Sequence, residues 1–167
     1  MNIFFTADLH YRHKNIIRYC ERPFSTIEEM DEALVKNWNS RVSKKDVVYV
    51  LGDFYWTKDV DKINDLINSL NGKIHLIKGN HDTSKVYEAN FQSVHELKTI
   101  KIKGEKIVLC HYPMRSWDSS FHGSYHLYGH VHGTISNPIA NSIDIGVDSW
   151  GYFPVLWEEV KGVIDGR

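Results

Sequence analysis

Two short, largely apolar runs lie in the first third of the chain: Asn2 to Ala7, which stops at Asp8, and Asp46 to Leu51, which stops at Gly52-Asp53. Neither alternates strictly between apolar and polar residues, so both predict strands buried on two faces. Between them, Ser25-Thr26-Ile27-Glu28-Glu29 carries overlapping capping boxes, Ser25 with Glu28 and Thr26 with Glu29. They open a pattern of Ile27, Met30, Leu34 and Trp38, which predicts a helix. Ile63, Leu66, Ile67 and Leu70 repeat at helical spacing and end at Asn71-Gly72, a helix stop. Lys73 to Lys78 then reads as a third strand ending at Gly79-Asn80. Strand, helix, strand, helix, strand predicts a parallel sheet covered by helices.

The second half changes character. His95 to Ile102, a turn at Gly104-Glu105, and Lys106 to Cys110 predict an antiparallel hairpin in which Lys101 and Lys103 alternate with Ile100 and Ile102 as a solvated face. Tyr125 to Tyr128, Ser142 to Val147 and Val155 to Val160 are further strand candidates, enough for a second sheet. The expected architecture is α/β, two packed sheets with helices outside. No repeat, low-complexity tract or Pro/Gly/Ser-rich linker interrupts it, so residues 1–167 are expected to form one domain.

Composition alters this picture at one point. With 167 residues, 42% hydrophobic, 25% charged and a formal net charge of −1, the chain is ordinary for a globular domain. That charge removes the case for charge-driven binding of long nucleic acids. No apolar run is long enough for a signal-peptide core or a bilayer span, so a soluble, cytoplasmic protein without membrane association is expected. Cys20 and Cys110 stand in no paired spacing, which indicates neither a disulfide framework nor a thiolate zinc site. No Gly-x-Ser-x-Gly elbow is present, setting a serine hydrolase aside. The unusual number is the 10 histidines, because imidazole is a common metal ligand and proton carrier.

Their placement is ordered. The predicted strand ends carry Asp8-Leu9-His10, Gly52-Asp53, Gly79-Asn80-His81-Asp82, Cys110-His111 and Gly129-His130-Val131-His132-Gly133. In α/β sheets ligands bind beyond the carboxyl ends of strands. Residues two apart in extended backbone point to the same side, so Asp8 with His10 and His130 with His132 are expected to converge. The glycines before Asp53, Asn80 and His130 are expected to permit sharp turns. Two cations held about 3.5–4 Å apart need a bridging ligand, which an aspartate can supply. Mixed carboxylate, amide and imidazole ligands suit Mn²⁺, Fe²⁺, Zn²⁺, Co²⁺ or Ni²⁺ better than Ca²⁺.

This ordered set resembles the calcineurin-like metallophosphoesterase superfamily, and every position of that pattern is filled between Asp8 and His132. The stretch from Asp8 to Ile17 is similar to a small single-domain branch found in bacteria and phages, although Tyr11-Arg12 stands where those proteins usually show Phe-Gly. The resemblance implies a four-layer α/β/β/α sandwich of two mixed sheets, without a cap domain and with an open groove. It implies a binuclear site, one metal on Asp8, His10, Asp53 and His132, the other on Asp53, Asn80, His111 and His130, with Asp53 bridging. Manganese is the metal it favours in vitro. His81 would sit by the leaving group and Asp82 would orient its ring.

The implied reaction is hydrolysis of phosphomonoesters or phosphodiesters by metal-activated hydroxide. The substrate would be a small phosphate ester, nucleotides included. The alternatives are a nuclease or nucleic-acid-end phosphatase of the same fold, or a catalytically silent metal-binding module. Candidate substrate contacts are Arg12 and Arg115, whose guanidinium groups suit phosphate, and His13. Trp117 and Phe121 are candidates for stacking a base. His75, His95, His122 and His126 are expected to be structural or surface residues.

Overall fold

The computed structural model describes residues 1–166. Nine strands run in chain order: β1 Ile3–Thr6, β2 Val47–Leu51, β3 Lys73–Ile77, β4 Ser93–His95, β5 Leu97–Ile102, β6 Glu105–Cys110, β7 Tyr125–Tyr128, β8 Ser142–Asp144 and β9 Val155–Leu156. The helices are α1 Lys14–Tyr19, α2 Ile27–Arg41, α3 Val60–Ser69, α4 Ser84–Tyr87 and α5 Trp157–Asp165. The first sheet has the order β4-β3-β2-β1-β9 and the second β5-β6-β7-β8. In the first, β1 to β4 are parallel and β9 is antiparallel; in the second, β5 pairs antiparallel with β6 while β6, β7 and β8 are parallel. Both sheets are therefore mixed, as expected, and helices lie outside them.

The first sheet is apolar on both faces because each face meets a different partner. Phe4, Val48, Val50, Ile74 and Leu76 pack with Met30, Leu34 and Trp38 of α2 and Ile63 of α3. Phe5, Tyr49, Leu51 and Ile77 point the other way, onto Ile107, Leu109, Leu127 and Ile143 of the second sheet. Each such side chain stabilises by about 1.5–3 kcal/mol when fully buried. Of the two capping boxes, Thr26 is the one used: its hydroxyl accepts the Glu29 amide at 3.1 Å, and the Glu29 carboxylate accepts the Ser25 amide at 2.7 Å. The outer face of the second sheet carries the buried His126, against which the loop residue Trp117 packs at 5.1 Å between ring centroids.

Three element expectations are corrected. Val155 to Val160 is a strand for two residues only, and α5 begins at Trp157. Glu159 explains the turn: its carboxylate accepts the Leu156 amide at 2.8 Å, and Trp157, Val160 and Ile164 then bury one helical face. Ser142 to Val147 keeps strand form to Asp144; Val147 to Ser149 forms a 3₁₀ turn after the Val147 amide donates to Ala7. His95 belongs to β4 in the first sheet, so the chain changes sheets at Glu96 before the hairpin of β5 and β6. The carboxyl ends of β1 and of β8 are tied directly by an Ala7–Gly146 bridge, so the ligand-bearing ends of both sheets meet at one edge.

Candidate metal centre

The backbone at that edge is not extended. Asp8, His10, Asp53, His130 and His132 all take left-handed conformations, with φ of 57°, 52°, 54°, 72° and 48°. Side-chain alternation along a strand is thus not what brings Asp8 to His10 or His130 to His132, contrary to the expectation from spacing. Such conformations cost on the order of 1–3 kcal/mol each in a non-glycine residue, and cross-strand bonds hold them: the Asp8 amide donates to Gly52 at 3.1 Å and the His10 amide to Asp53 at 2.8 Å. Among the three glycines expected to turn, Gly52 alone has positive φ, at 86°. Gly79 and Gly129 supply space instead, since a Cβ on the first would strike Asp53 and on the second Ala7 and Asp8.

Asp82 departs from its expected role. Its carboxylate accepts the backbone amides of Asp53 at 3.0 Å, Phe54 at 2.8 Å and Gly79 at 3.0 Å. It therefore fixes the loop that presents Asp53 rather than the ring of His81. The Asn80-His81 turn is positioned from the other direction, because the His81 amide donates to Asp53 Oδ1 at 2.8 Å.

That bond leaves Asp53 Oδ2 facing the centre. It lies 3.4 Å from His10 Nε2 and 3.5 Å from His111 Nε2. His111 Nδ1 is 2.7 Å from the Leu51 carbonyl, which can only accept, so the neutral ring carries its proton there and presents a lone pair at Nε2. Burial holds His111 below the usual histidine range, which favours that neutral form. His111 Nε2 also lies 2.8 Å from Asn80 Oδ1, and His130 Nδ1 lies 2.9 Å from the same oxygen. Among the described residues, His10 Nε2 and Asp53 Oδ2 are two of the four buried side-chain polar atoms lacking a hydrogen-bond partner. Buried lone pairs converging without protons between them are the donor set a divalent cation requires. Ligand atoms of Asp8, His10 and His132 lie within 4.8 Å of one another, as do those of Asp8, Asp53 and His111.

Electrostatics favour the donor form at His10 and His111 and oppose it at Asp8, Asp53 and His132. Burial pushes the Asp8 and Asp53 carboxyl groups up from their ordinary values, Asp8 strongly. Burial, then the Arg22 guanidinium and the neighbouring histidines, push His10 down to about 2. His132 goes the other way: burial opposes its protonation, but Asp148, Cys20 and Asp8 outweigh burial and lift it to about 10. Protonation of His132 and coordination of a cation by its ring would therefore compete.

Three residues without a sequence signature support the ligands. His132 Nδ1 donates to Asp148 at 2.7 Å, and Asp148 receives both Arg22 Nε and a terminal Arg22 nitrogen at 2.8 Å. Arg22, fully buried, also donates to the carbonyls of Asp8 and Leu9 at 2.7 and 3.0 Å. A carboxylate behind a ligating histidine fixes its ring and tautomer. The third is Cys20, whose thiol lies with His132 and Asp148 in a further group of ligand-type atoms. Arg22 and Asp148 are 126 positions apart, so spacing does not reveal the pair.

The expected substrate contacts divide. His13 is at the centre, its Nδ1 3.2 Å from His10 Nδ1. Arg12 points onto α2, paired with Glu28 and Asp31 at 3.2 and 3.4 Å, and is spent there. Arg115 lines a separate cavity with Tyr128 and Pro138. Trp117 is buried and donates to Ser124, while Phe121 is 91% exposed in a 3₁₀ turn. His75 stacks on Tyr49, and His126 donates from Nδ1 to the Val108 carbonyl at 3.1 Å while its Nε2 accepts the Met114 amide at 3.2 Å.

A solved protein of unknown function from Aquifex aeolicus shares the fold, with a TM-score of 0.76 over 98% of this chain and 99% of that one, at 24% identity. An uncharacterised protein of Methanocaldococcus jannaschii is 43% identical over 122 residues, 72% of this chain and 64% of that protein. The gene 66 protein of Mycobacterium phage L5 is 39% identical over 83 residues, 48% of this chain and 40% of that protein. The chain thus spans under two thirds of the length of these curated relatives. The family model described as calcineurin-like phosphoesterase matches residues 1–152, which takes in every candidate ligand described above, and the chain belongs to that family.

Proposed function

We propose that this chain is a hydrolase of phosphate esters that works with two divalent cations, held by Asp8, His10, Asp53, Asn80, His111, His130 and His132 with Asp53 shared between them. The observation that carries the reading is Asp53 Oδ2, buried, unpartnered and faced by the Nε2 atoms of His10 and His111. When bound, such cations neutralise phosphoryl oxygens and bring the pKa of a coordinated water toward neutrality. The ligand types admit manganese, iron, zinc, cobalt or nickel, and manganese is the ion we assign for activity in vitro.

The protein's own contribution is placement. Asp82 and the Asp8–Gly52 and His10–Asp53 backbone bonds fix the ligands before substrate arrives. His81 belongs to neither group of ligand atoms and stands 5.4 Å from the His10 ring. From there it holds a phosphoryl oxygen or delivers a proton to the departing alkoxide. The test is Asp53→Asn: metal content by elemental analysis and phosphatase or phosphodiesterase turnover should fall together. Anomalous scattering from metal-soaked crystals should show two ions at Asp53. A single ion, or near-normal turnover in the variant, defeats the assignment.

A further inference from the structure

Two cavities meet at His81. One, of about 450 Å³, is lined by Trp56, Thr57, Lys58, Asn80, His81 and Thr83. The other, of about 630 Å³, includes Tyr19, Thr134 and the ligand residues His10, Asp53, His130 and His132, and again His81. We infer that a phosphoryl group at the centre sends one substituent into each cavity, so that the substrate is a small phosphodiester, and that its arm in the first cavity is a nucleoside with the base lying on Trp56. This deepens the phosphoesterase reading and rests on it.

The number of arms follows from the shape. The larger cavity holds the centre at one end and runs on past it to Arg18, Tyr19 and Thr134, so a monoester seated on the ligand residues leaves either that extension or the Trp56 cavity empty, whereas a diester fills both. The identity of the first arm follows from Trp56. Its ring is 50% exposed although it stands beside the buried centre, and it is held in place from behind. His13 stacks on it at 4.3 Å with planes 10° apart, and its amide donates to the Tyr11 carbonyl at 2.8 Å. An exposed, immobilised indole beside a phosphate-sized centre is a stacking platform for a flat ring. The cavity volume fits one nucleoside rather than a strand, and the net charge of −1 gives no field for a long polyanion. Lys58, on the same wall, has no ion pair or hydrogen bond among the described residues, which leaves its ammonium for the oxygens of that arm. In the reaction water adds its oxygen to phosphorus, the bond from phosphorus to one ester oxygen breaks, and a proton from the water ends on the departing alkoxide. One diester and one water give one monoester and one alcohol.

The experiment uses the metal-loaded full chain with a dinucleoside monophosphate and its two analogues lacking one or the other base. Stacking of one base predicts a loss of about 5- to 150-fold in kcat/KM for Trp56→Ala on the intact ester. Trp56→Phe should keep most of the activity. For the analogue missing the base that rests on Trp56, the loss on Trp56→Ala should shrink to under about threefold. A second readout is quenching of tryptophan fluorescence by a nucleoside monophosphate, saturable in the wild type and absent in Trp56→Phe; it decides the matter if the alanine variant fails to fold. Equal losses on all three esters, or equal quenching in both proteins, overturn the inference. So does a wild type that cleaves phosphomonoesters and leaves the dinucleoside phosphate intact, an outcome under which the phosphoesterase reading stands. Failure to cleave any phosphate ester defeats that reading itself, and this inference with it.

Discussion

His81 and Asp82 are neighbours in sequence with different work, and the two oxygens of Asp53 show how they divide it. Oδ1 is engaged by the His81 amide, while the loop behind Oδ2 is anchored by the Asp82 carboxylate. Replacing His81 by Ala keeps its backbone bond and removes a ring outside both ligand groups. Metal content should therefore stay near the wild-type level while turnover falls, and the loss should shrink for esters with good leaving groups. Asp82→Ala strips an acceptor from three buried amides, each costing about 1–3 kcal/mol when left unsatisfied. It should lower the thermal midpoint and metal content together. The seven candidate ligand residues are legible because they cluster just after predicted strands that end at a glycine or an apolar residue. The partners of Asp82 are not, because a carboxylate that accepts backbone amides leaves no mark on the residues it serves.

At the scale of elements, β1, β2 and β3 and the two long helices could be read from pattern alone, since their partners lie on fixed faces. The differences fall at β4, where His95 belongs to the first sheet rather than the hairpin, and at β8, β9 and α5, where a β-prone start such as Val155-Leu156 gives way to a helix opened by Glu159. Asp46, first residue of the run that predicts the second strand, lies just before β2. Its carboxylate accepts the Asn2 amide at 2.7 Å and the Ser43 amide and hydroxyl at 2.9 and 2.6 Å, tying the start of β1 to that of β2. The Asn2 and Ser43 bonds hold its pKa down to about 2. Because the folded value lies below the unfolded one, this stabilisation is complete above the unfolded value near pH 4 and disappears as pH falls toward 2. The stability gap between wild type and Asp46→Ala, measured by urea unfolding, should hold constant from pH 7 to pH 5 and fall to about half of its Asp46-linked part by pH 3. A gap that widens on acidification would contradict this account.

Across the whole molecule, the candidate centre lies where the two sheets are already joined by packing, by the Ala7–Gly146 bridge and by the His111–Leu51 bond. Asp8, His10, Asp53 and Asn80 come from the first sheet, and His111, His130 and His132 from the second. Cations gripped by both sets bind the folded chain and not the unfolded one. At a free concentration one hundred times the dissociation constant, a single such site adds about 2.7 kcal/mol, or about 5–11 °C in thermal midpoint for a chain of this size. Scanning calorimetry with and without manganese should show that rise, and a chelator should reverse it. Both cysteines are free, so among the described residues no disulfide ties the sheets. Proteases attack the opened forms of a protein, in proportion to how often they occur. A chain clamped by such cations would have a lifetime that tracks its metal supply: were the supply to fail, the empty molecules would be degraded first, and those that persist would be the ones equipped to act.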